Sequence, residues 1–281
     1  MAAIEVRGLR KAYGATEAVG GISFEIEAGE VFCLLGPNGA GKTTTVEILE
    51  GYRTRTSGDV TVLGFDPERH ERAFRERIGV VLQQTEMWAN LTVRETVRVF
   101  AGYYRRPRPA EEVVDLVGLR EQAAQRVKTL SGGQKRRLDL ALALVGDPEL
   151  VFMDEPTTGF DPQARRAAWE LIRDLRALGK TILLTTHYLD EAQQLADRVA
   201  VLRAGTIAMV GTPAQLVDTR QTEVRWRENA EVRVERTAEP TRLLHELTRR
   251  ALAEGRELQE LEVRRASLED VYLELLEDDD A

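Results

Sequence analysis

The strongest constraint on the fold is a run of five apolar residues that leads straight into a glycine-rich segment: Val31-Phe32-Cys33-Leu34-Leu35, then Gly36-Pro37-Asn38-Gly39-Ala40-Gly41-Lys42-Thr43. An uninterrupted apolar run of this length is typical of a strand that is buried on both faces, as in a parallel sheet. The sequence from about Thr43 to Glu50 then has a helical pattern. A strand, a glycine turn and a helix in this order predict an α/β fold.

Two further apolar runs, at residues 150–153 and 181–184, each precede polar residues and then a helical pattern. Strands that alternate with helices predict a parallel sheet. The stretch before these runs is mostly helical in period, and we predict a helical subdomain at about residues 84–146. The N-terminal stretch alternates apolar and polar residues up to Ile26, which predicts antiparallel strands around a turn at Gly20-Gly21.

The sequence changes character after Gly211-Thr212-Pro213. Strand patterns and helical spacing alternate in the remainder, at residues 223–226, 231–234, 241–254, 258–263 and 267–276. We therefore predict two domains, a main domain at residues 1–218 and a small α+β accessory domain at residues 219–281.

Composition limits the classes of protein to which the chain can belong. The 281 residues are 43% hydrophobic and 31% charged, and the net charge is −8. Because a sequence-independent nucleic-acid binder needs a basic face, we expect no nucleic-acid partner. The sequence has no stretch of about 18 uncharged apolar residues and no signal-peptide pattern, so we expect a cytoplasmic chain. The single cysteine, Cys33, is expected to be a buried, inert thiol.

The glycine-rich segment fits the pattern G-x-x-x-x-G-K-[ST] of a phosphate-binding loop. Its glycines allow successive backbone N–H groups to converge on phosphate oxygens, and the start of the helix adds partial positive charge. Lys42 is expected to reach the β- and γ-phosphates, and the Thr43 hydroxyl is expected to bind Mg²⁺. A chance glycine-rich turn is the alternative, expected in ~1% of such chains or fewer. We predict nucleotide contacts along the whole segment Gly36-Pro37-Asn38-Gly39-Ala40-Gly41-Lys42-Thr43-Thr44.

Two carboxylates, Asp154 and Glu155, follow the apolar run at residues 150–153. The carboxyl ends of parallel strands are where such sheets place ligands. We expect Asp154 to hold the Mg²⁺ shell and Glu155 to orient or deprotonate the attacking water, a role that contributes ~10²–10⁴-fold to a rate. Adjacent acids after a strand can also simply begin a helix, so the assignment depends on the phosphate-binding loop.

A short loop, Leu130-Ser131-Gly132-Gly133-Gln134, introduces another helix, with Ser131 placed as its N-cap. Coming after the loop at residues 36–43 and ahead of Asp154-Glu155, this pentapeptide resembles the signature of the ABC (ATP-binding cassette) ATPases. The resemblance covers roughly residues 4–217. It implies a P-loop cassette with a RecA-like parallel sheet core, an N-terminal antiparallel β subdomain and a helical subdomain, and it implies hydrolysis of ATP with Mg²⁺.

Further residues acquire roles from this resemblance alone. Tyr13 matches the aromatic residue that stacks on adenine, although by itself it would be an ordinary strand aromatic. Gln83 corresponds to the catalytic glutamine that senses Mg²⁺ and couples to the transporter, with a one-residue ambiguity because Gln84 follows it. Asp161 matches the acid that touches a second subunit, and its plain alternative is a turn or a helix start. His187 matches the histidine that contacts the γ-phosphate.

The resemblance also implies partners. In this family the residue 131–134 loop completes the site of a second ATPase subunit. Ser131, Gly132, Gly133 and Gln134 are therefore expected to cap the γ-phosphate held by the other member of a homodimer or heterodimer. The family docks its membrane permease, here on a separate chain, at about residues 86–128, although those helices could also be inert packing. The chain would then lie peripherally on the inner face of the cell membrane.

Near the C-terminus, Ser267-Leu268-Glu269-Asp270-Val271-Tyr272-Leu273 resembles a motif of the bacterial ABC-2 export ATPases, including the daunorubicin-resistance type. The same residues also fit a capped amphipathic helix. The resemblance favours the ATPase subunit of an exporter. The alternatives are a soluble ABC ATPase that acts on translation or DNA, and an ATP-gated regulatory module that hardly turns over.

Overall fold

The computed structural model describes residues 2–81, 88–217, 222–228 and 231–265, together with Glu269 and Tyr272. The chain divides into two compact units, Met1–Val210 and Gly211–Ala281. The domain boundary placed between residues 218 and 219 from the sequence remains a prediction. Within the described residues, no helix combines the length and the apolar character needed to cross a membrane.

The first unit alternates strands with helices through most of its length. Its runs at residues 31–35, 150–153 and 181–184 are buried strands, so those three predictions are confirmed. The elements in chain order are β1 (Ala2–Tyr13), β2 (Thr16–Glu27), β3 (Val31–Leu35), α1 (Lys42–Leu49), β4 (Ser57–Val62), α2 (Arg72–Arg75), β5 (Ile78–Val81), α3 (Val93–Ala101), α4 (Ala110–Leu116), α5 (Gly132–Leu144), β6 (Leu150–Asp154), α6 (Pro162–Ala177), β7 (Thr181–Thr186), α7 (Leu189–Leu195), β8 (Arg198–Arg203) and β9 (Thr206–Gly211).

A six-stranded sheet in the order β5-β6-β7-β3-β8-β9 forms the centre of the first unit. β5, β6, β7, β3 and β8 run parallel, with Val31 opposite Ile182 and Leu150 opposite Thr181. All five residues of β3 are buried, as its apolar sequence predicts. Because parallel strands end at one edge, the residues that follow β3, β6 and β7 meet at that edge.

A second sheet, in the order β2-β1-β4, is antiparallel. The chain reverses between β1 and β2 at Gly14-Ala15, so the predicted turn at Gly20-Gly21 is wrong. Both of those glycines lie inside β2, where the pairing register shifts and Gly21 has a φ of 89°. The Gly20 N–H donates to the Gly205 carbonyl at 2.7 Å. The glycine pair therefore marks a β-bulge that lies against the β8–β9 turn.

The main hydrophobic core contains buried side chains from both sheets and from α1. Phe24 of β2 stacks on Phe32 of β3, with ring centroids 5.5 Å apart. Ile48 and Leu49 of α1 are fully buried in the same core. Burial of each large apolar side chain contributes about 1.5–3 kcal/mol. This packing holds the start of α1 at the edge of the sheet where β3 ends.

Within the described residues, the α-helices α3, α4 and α5 lie between β5 and β6 in the chain. Thr92 caps α3 and Ser131 caps α5, each through a capping box with the residue three positions further on. The predicted N-cap at Ser131 is confirmed. A Cβ on Gly79 of β5 would lie 2.4 Å from the carbonyl oxygen of Ala143 in α5. Only glycine allows this close approach, which fixes the helix that follows Ser131 against the central sheet.

The second unit has an antiparallel sheet and a small core formed by Val224, Trp226 and Leu247. The strands and the helix predicted between residues 223 and 263 are confirmed. Of the motif at residues 267–273, only Glu269 and Tyr272 lie among the described residues. The elements are α8 (Pro213–Leu216), β10 (Thr222–Glu228), β11 (Glu231–Thr237), α9 (Pro240–Ala253) and β12 (Gln259–Arg265), with the sheet order β11-β10-β12.

Candidate functional site

The loop at residues 36–43, hereafter the phosphate loop, connects β3 to α1. Two of its glycines lie against the backbone of other elements. A Cβ on Gly36 would lie 2.4 Å from the carbonyl oxygen of Leu202, and a Cβ on Gly41 would lie 2.5 Å from that of Ala18. Gly41 also has a φ of 99°, in the left-handed region that favours glycine. These glycines are therefore required by the packing of the loop as well as by its turn.

Lys42 begins α1, and its side chain is buried at the base of the phosphate loop. Its Nζ donates to the carbonyl oxygens of Gly36 at 2.7 Å and Pro37 at 3.1 Å. Burial lowers the pKa of Lys42, while the negative charges of Glu155 and Asp154 act in the opposite direction. An ammonium group has three N–H donors, and these two bonds leave the third for an anion in front of the loop.

Asp154 ends β6, and both of its carboxylate oxygens have hydroxyl partners. The Thr43 hydroxyl donates to Oδ2 at 3.3 Å, and the Thr185 hydroxyl donates to Oδ1. Thr185 is fully buried near the end of β7. Carboxylate and hydroxyl oxygens are ligands that Mg²⁺ accepts. The strand ends thus bring a carboxylate and the Thr43 hydroxyl to one point beside the phosphate loop.

Glu155 has a φ of 46°, which is uncommon for a residue other than glycine. Its N–H donates to the Thr185 carbonyl at 3.2 Å and lies 3.0 Å from the hydroxyl oxygen of the same residue. The Thr158 hydroxyl donates to Oε2 at 3.0 Å, and His187 Nδ1 lies 3.2 Å from Oε1. A strained backbone that is held by several bonds is typical of functional sites. Here it places the Glu155 carboxylate next to His187.

Ser131 and Asp161 line one cleft of about 1070 Å³. Both residues also cap helices. Ser131 Oγ accepts from the Gln134 N–H at 3.3 Å, and Asp161 Oδ1 accepts from two N–H groups in the first turn of α6. Glu155 lines the same cleft, as do Gly132 and Gly133, whereas none of the lining residues belongs to the phosphate loop. Ser131, Asp161 and Glu155 are thus neighbours around one cleft of the first unit.

Comparison with known proteins identifies the family. Residues 19–158 match the ABC transporter family. Nod factor export ATP-binding protein I of Rhizobium meliloti (strain 1021) is 47% identical to this chain over 223 residues, which cover 78% of this chain and 67% of that protein. The chain belongs to the ABC transporter family. It is an ATP-binding subunit with the ATPase activity that the motif resemblance implied.

Solved structures of ABC proteins share its fold. The structure of an ATP-binding subunit of an ABC transporter matches with a TM-score of 0.72 at 24% identity, covering 97% of this chain and 99% of that chain. The cbiO1 protein of Clostridium perfringens, part of the ABC transporter complex cbiONQ, matches with a TM-score of 0.69 at 29% identity, covering 76% of this chain and 90% of that chain. The predicted fold class, an α/β P-loop cassette, is confirmed.

Tyr13 and Gln83 were also predicted for the nucleotide site, and of the two only Tyr13 lies among the described residues. Tyr13 ends β1 and is 41% exposed. Lys11 Nζ lies 5.1 Å and Arg53 Cζ lies 5.4 Å from the centroid of its ring. The ring is accessible to a base, and the two cations beside it favour a negatively charged ligand. Gln83 and the neighbouring Gln84 lie outside the described residues.

Two residues that contact the candidate site were not found from the sequence. Thr185 bonds to both Asp154 and the Glu155 N–H, and a hydroxyl residue late in a buried apolar run is a signal that could have indicated it. Arg136 of α5 donates to the carbonyl oxygens of Asp154 and Pro156, each at 3.3 Å, and burial lowers its pKa. No local pattern indicates this contact, because it depends on how α5 packs near the end of β6.

Proposed function

We propose that this ATPase is the motor subunit of an exporter and acts with a membrane permease on a separate chain. The ATPase part of the proposal is carried by the cluster at the edge of the central sheet, where Asp154, Glu155 and His187 lie near Thr43 of the phosphate loop. The name of the 47% identical Rhizobium protein, an export ATP-binding protein, supports export. The resemblance of residues 267–273 to ABC-2 export ATPases favours the same conclusion.

Mg²⁺ is proposed to bind together with ATP at Thr43 and Asp154. The hydroxyl and carboxylate oxygens of these residues lie 3.3 Å apart and offer two ligands. In the described ranges, no group of three or more His, Cys, Asp or Glu side chains is arranged to hold a metal. Since Mg²⁺ commonly takes one or two protein ligands and completes its shell with water and phosphate oxygens, the pair fits an ion that is shared with the nucleotide.

Glu155 is proposed to orient or deprotonate the attacking water, and His187 is proposed to contact the γ-phosphate. The Glu155 side chain is 13% exposed, and His187 and Thr158 each contact one of its oxygens. These contacts limit the orientation of the carboxylate, which a general base requires. Lys42 supplies positive charge from the base of the phosphate loop, where it would stabilise charge that develops on the phosphate.

Each ATP is proposed to be shared between two ATPase chains, either identical copies or paralogues. Ser131 lines a cleft to which the phosphate loop does not contribute. The resemblance of residues 130–134 to the ABC signature implies that a second chain caps a nucleotide on that loop. The start of α5 offers N–H groups and the Ser131 hydroxyl, which suit the γ-phosphate of a partner's nucleotide. Asp161, on the same cleft, is proposed to contact the partner chain.

Glu155→Gln tests the catalytic assignment. The amide keeps the shape of the side chain but is not a base, so we expect ATP hydrolysis to fall ~10²–10⁴-fold while ATP is still bound. The variant should accumulate as a nucleotide-locked dimer at saturating ATP, measured by size-exclusion chromatography with light scattering. Wild-type turnover would refute the assignment, and a strictly monomeric variant would refute the shared site.

Glu149→Gln is the matched control for this experiment. Glu149 directly precedes β6, at the opposite end of the strand from Glu155, and its carboxylate pairs with Arg77 at 2.6 and 2.7 Å. The substitution makes the same chemical change at a distance from the site. Its ATPase activity should equal that of the wild type.

A groove of about 650 Å³, hereafter the aromatic groove, is the proposed docking site of the permease. Beside it, the rings of Trp88, Phe100 and Tyr103 contact one another in sequence, with centroids 5.8 and 5.7 Å apart. Tyr52 is 71% exposed and Tyr103 is 61% exposed. Exposed aromatic clusters are typical of protein interfaces. The apolar and aromatic lining of the groove consists of Tyr52, Pro67, Phe74, Ile78, Val80, Phe100, Tyr104, Leu142 and Ala143.

Substitution in the aromatic groove tests docking separately from catalysis. We expect Tyr52→Ser combined with Phe100→Ser to abolish co-purification with the permease, because both side chains line the groove. The ATPase activity of the isolated subunit should not change. Leu252→Ser is the control, since it removes a 77% exposed apolar side chain from α9. Full retention of the permease by the double variant would show that the permease docks elsewhere and would remove the assignment of docking to the aromatic groove.

A further inference from the structure

Glu191, in the first turn of α7, is a fully buried acid to which the catalytic assignment gives no role. Burying a carboxyl group is costly unless it makes hydrogen bonds. α7 begins directly after the segment that carries His187. The hydrogen-bond partners of Glu191 should therefore explain why a carboxyl group occupies this buried position in α7.

Donors from two other segments converge on one oxygen of Glu191. The Thr157 hydroxyl donates to Oε1 at 2.9 Å, and Trp169 Nε1 donates to the same atom at 3.2 Å. Thr157 is itself fully buried. Since a buried hydroxyl without a partner is destabilising, the position of Thr157 depends on this acceptor.

These hydrogen bonds join three parts of the catalytic site. Thr157 lies just beyond Glu155, in the turn where Glu155 has its left-handed backbone conformation. Trp169 belongs to α6, which is capped by Asp161. α7 follows His187, whose Nδ1 lies 3.2 Å from Glu155. One buried oxygen therefore connects the turn after Glu155 to the helix after His187.

The neighbouring contact between α6 and α7 is of a different kind. Asp190, directly before Glu191, lies 3.6 Å from Arg165 of α6, and its side chain is 55% exposed. Exposed ion pairs contribute little to stability or geometry. The buried hydrogen bonds of Glu191 are thus the more specific link between the two helices.

We propose that Glu191 is a positioning residue for ATP hydrolysis, whose Oε1 holds Thr157 and, through it, the turn that aims the Glu155 carboxylate at His187. The proposal rests on the catalytic role proposed above for Glu155. Thr157 and Trp169 both donate to Oε1, so the position requires an oxygen acceptor, which an uncharged side chain can also supply. Burial raises the pKa of Glu191, in keeping with this requirement.

The test is steady-state ATP hydrolysis by four full-length variants, with kcat expressed per ATP-binding site. Glu191→Leu and Thr157→Val should each lower kcat about tenfold or more, with KM for ATP changed by less than about twofold, because the acceptor or the donor of one buried hydrogen bond is lost. Glu191→Gln retains the oxygen and should stay within about threefold of the wild type. Asp190→Asn, in the same turn of α7, is the matched control and should be fully active.

Several outcomes would overturn the proposal. Wild-type kcat in Thr157→Val, which changes little of the packing even where Glu191→Leu fails to fold, would show that the hydrogen bond does not position Glu155. An equal loss in Glu191→Gln and Glu191→Leu would show that the acceptor is not what matters. Glu155→Gln is measured in the same assay, because wild-type turnover there defeats the catalytic role of Glu155. If Glu155→Gln is inactive and Thr157→Val is fully active, only the positioning role of Glu191 fails.

Discussion

Thr185→Val would test the geometry of the site directly. Thr185 is fully buried, and its hydroxyl donates to Asp154 Oδ1 and accepts from the Glu155 N–H at 3.0 Å. Valine has nearly the same shape but no hydroxyl, so both hydrogen bonds are lost. In the variant, the Glu155 N–H still donates to the backbone carbonyl oxygen of residue 185, which lies 3.2 Å from the Glu155 nitrogen. The main effect of the substitution is therefore the loss of the hydrogen bond that the Thr185 hydroxyl donates to the Asp154 carboxylate.

The size of the effect follows from the charge on Asp154. A hydrogen bond to a charged group contributes about 1.5–3 kcal/mol to stability. At about 1.36 kcal/mol for each factor of ten, this is a ~10- to ~150-fold change in a rate or binding constant. Loss of a group that orients a metal ligand typically costs ~10–100-fold in metal affinity or activity. We expect Thr185→Val to lower ATPase activity ~10–100-fold at limiting Mg²⁺, with partial recovery as Mg²⁺ is raised.

The assay is a Mg²⁺ titration of steady-state ATP hydrolysis, with ATP affinity measured separately in EDTA. Thr185→Ser keeps the hydroxyl and should restore most of the activity. Thr181→Val is the matched control, because Thr181 begins β7 and its hydroxyl oxygen accepts from the Gly29 N–H at 3.0 Å, away from Asp154. An unchanged Mg²⁺ dependence in Thr185→Val, or an equal shift in Thr181→Val, would refute the reasoning.

Other predictions concern α1 and the loop before it. Burial, together with nearby Asp154, raises the pKa of Glu50 to about 8, so the folded state keeps a proton that the unfolded state releases above pH 5. The free energy of unfolding should fall by up to about 1.4 kcal/mol for each unit by which the pH rises from 5 to 8. Glu50→Gln should therefore show a smaller decline in Tm over that range than the wild type. Gly36→Ala should weaken ATP binding at least ~10-fold in a titration, because its Cβ would meet the Leu202 carbonyl at 2.4 Å. Lys42→Ala should also weaken ATP binding, and unchanged affinity would discredit the phosphate-loop assignment.

Local sequence patterns were sufficient for the strands that carry the site. The apolar runs at residues 31–35, 150–153 and 181–184 form β3, β6 and β7, which are neighbours in the central sheet. The turn predicted at Gly20-Gly21 was wrong for a physical reason. A glycine pair indicates only that the backbone can adopt unusual conformations. Here it forms a bulge in β2, where the Gly20 N–H donates to the Gly205 carbonyl. No pattern within β2 reveals the other partner of that bond.

The residues of the candidate site likewise fall into those that local sequence patterns indicate and those that depend on tertiary packing. Lys42, Thr43, Asp154 and Glu155 could be singled out because each follows a buried strand or begins a helix, and both features depend on adjacent residues. Arg136 could not, since its acceptors are the carbonyl oxygens of Asp154 at the end of β6 and of Pro156 just after it. A contact between two segments distant in sequence leaves no periodic signal in either one.

By itself, the sequence determined that a glycine-rich loop would follow one buried strand and that two carboxylates would follow another. This was possible because a run of consecutive apolar residues predicts a buried strand. Only the tertiary structure decided that Thr43 and Thr185 hold opposite oxygens of Asp154, and that Glu191 accepts a hydrogen bond from Thr157. These distances depend on how strands align in the sheet and how helices pack beside them, which is set by the whole core and not by any one segment.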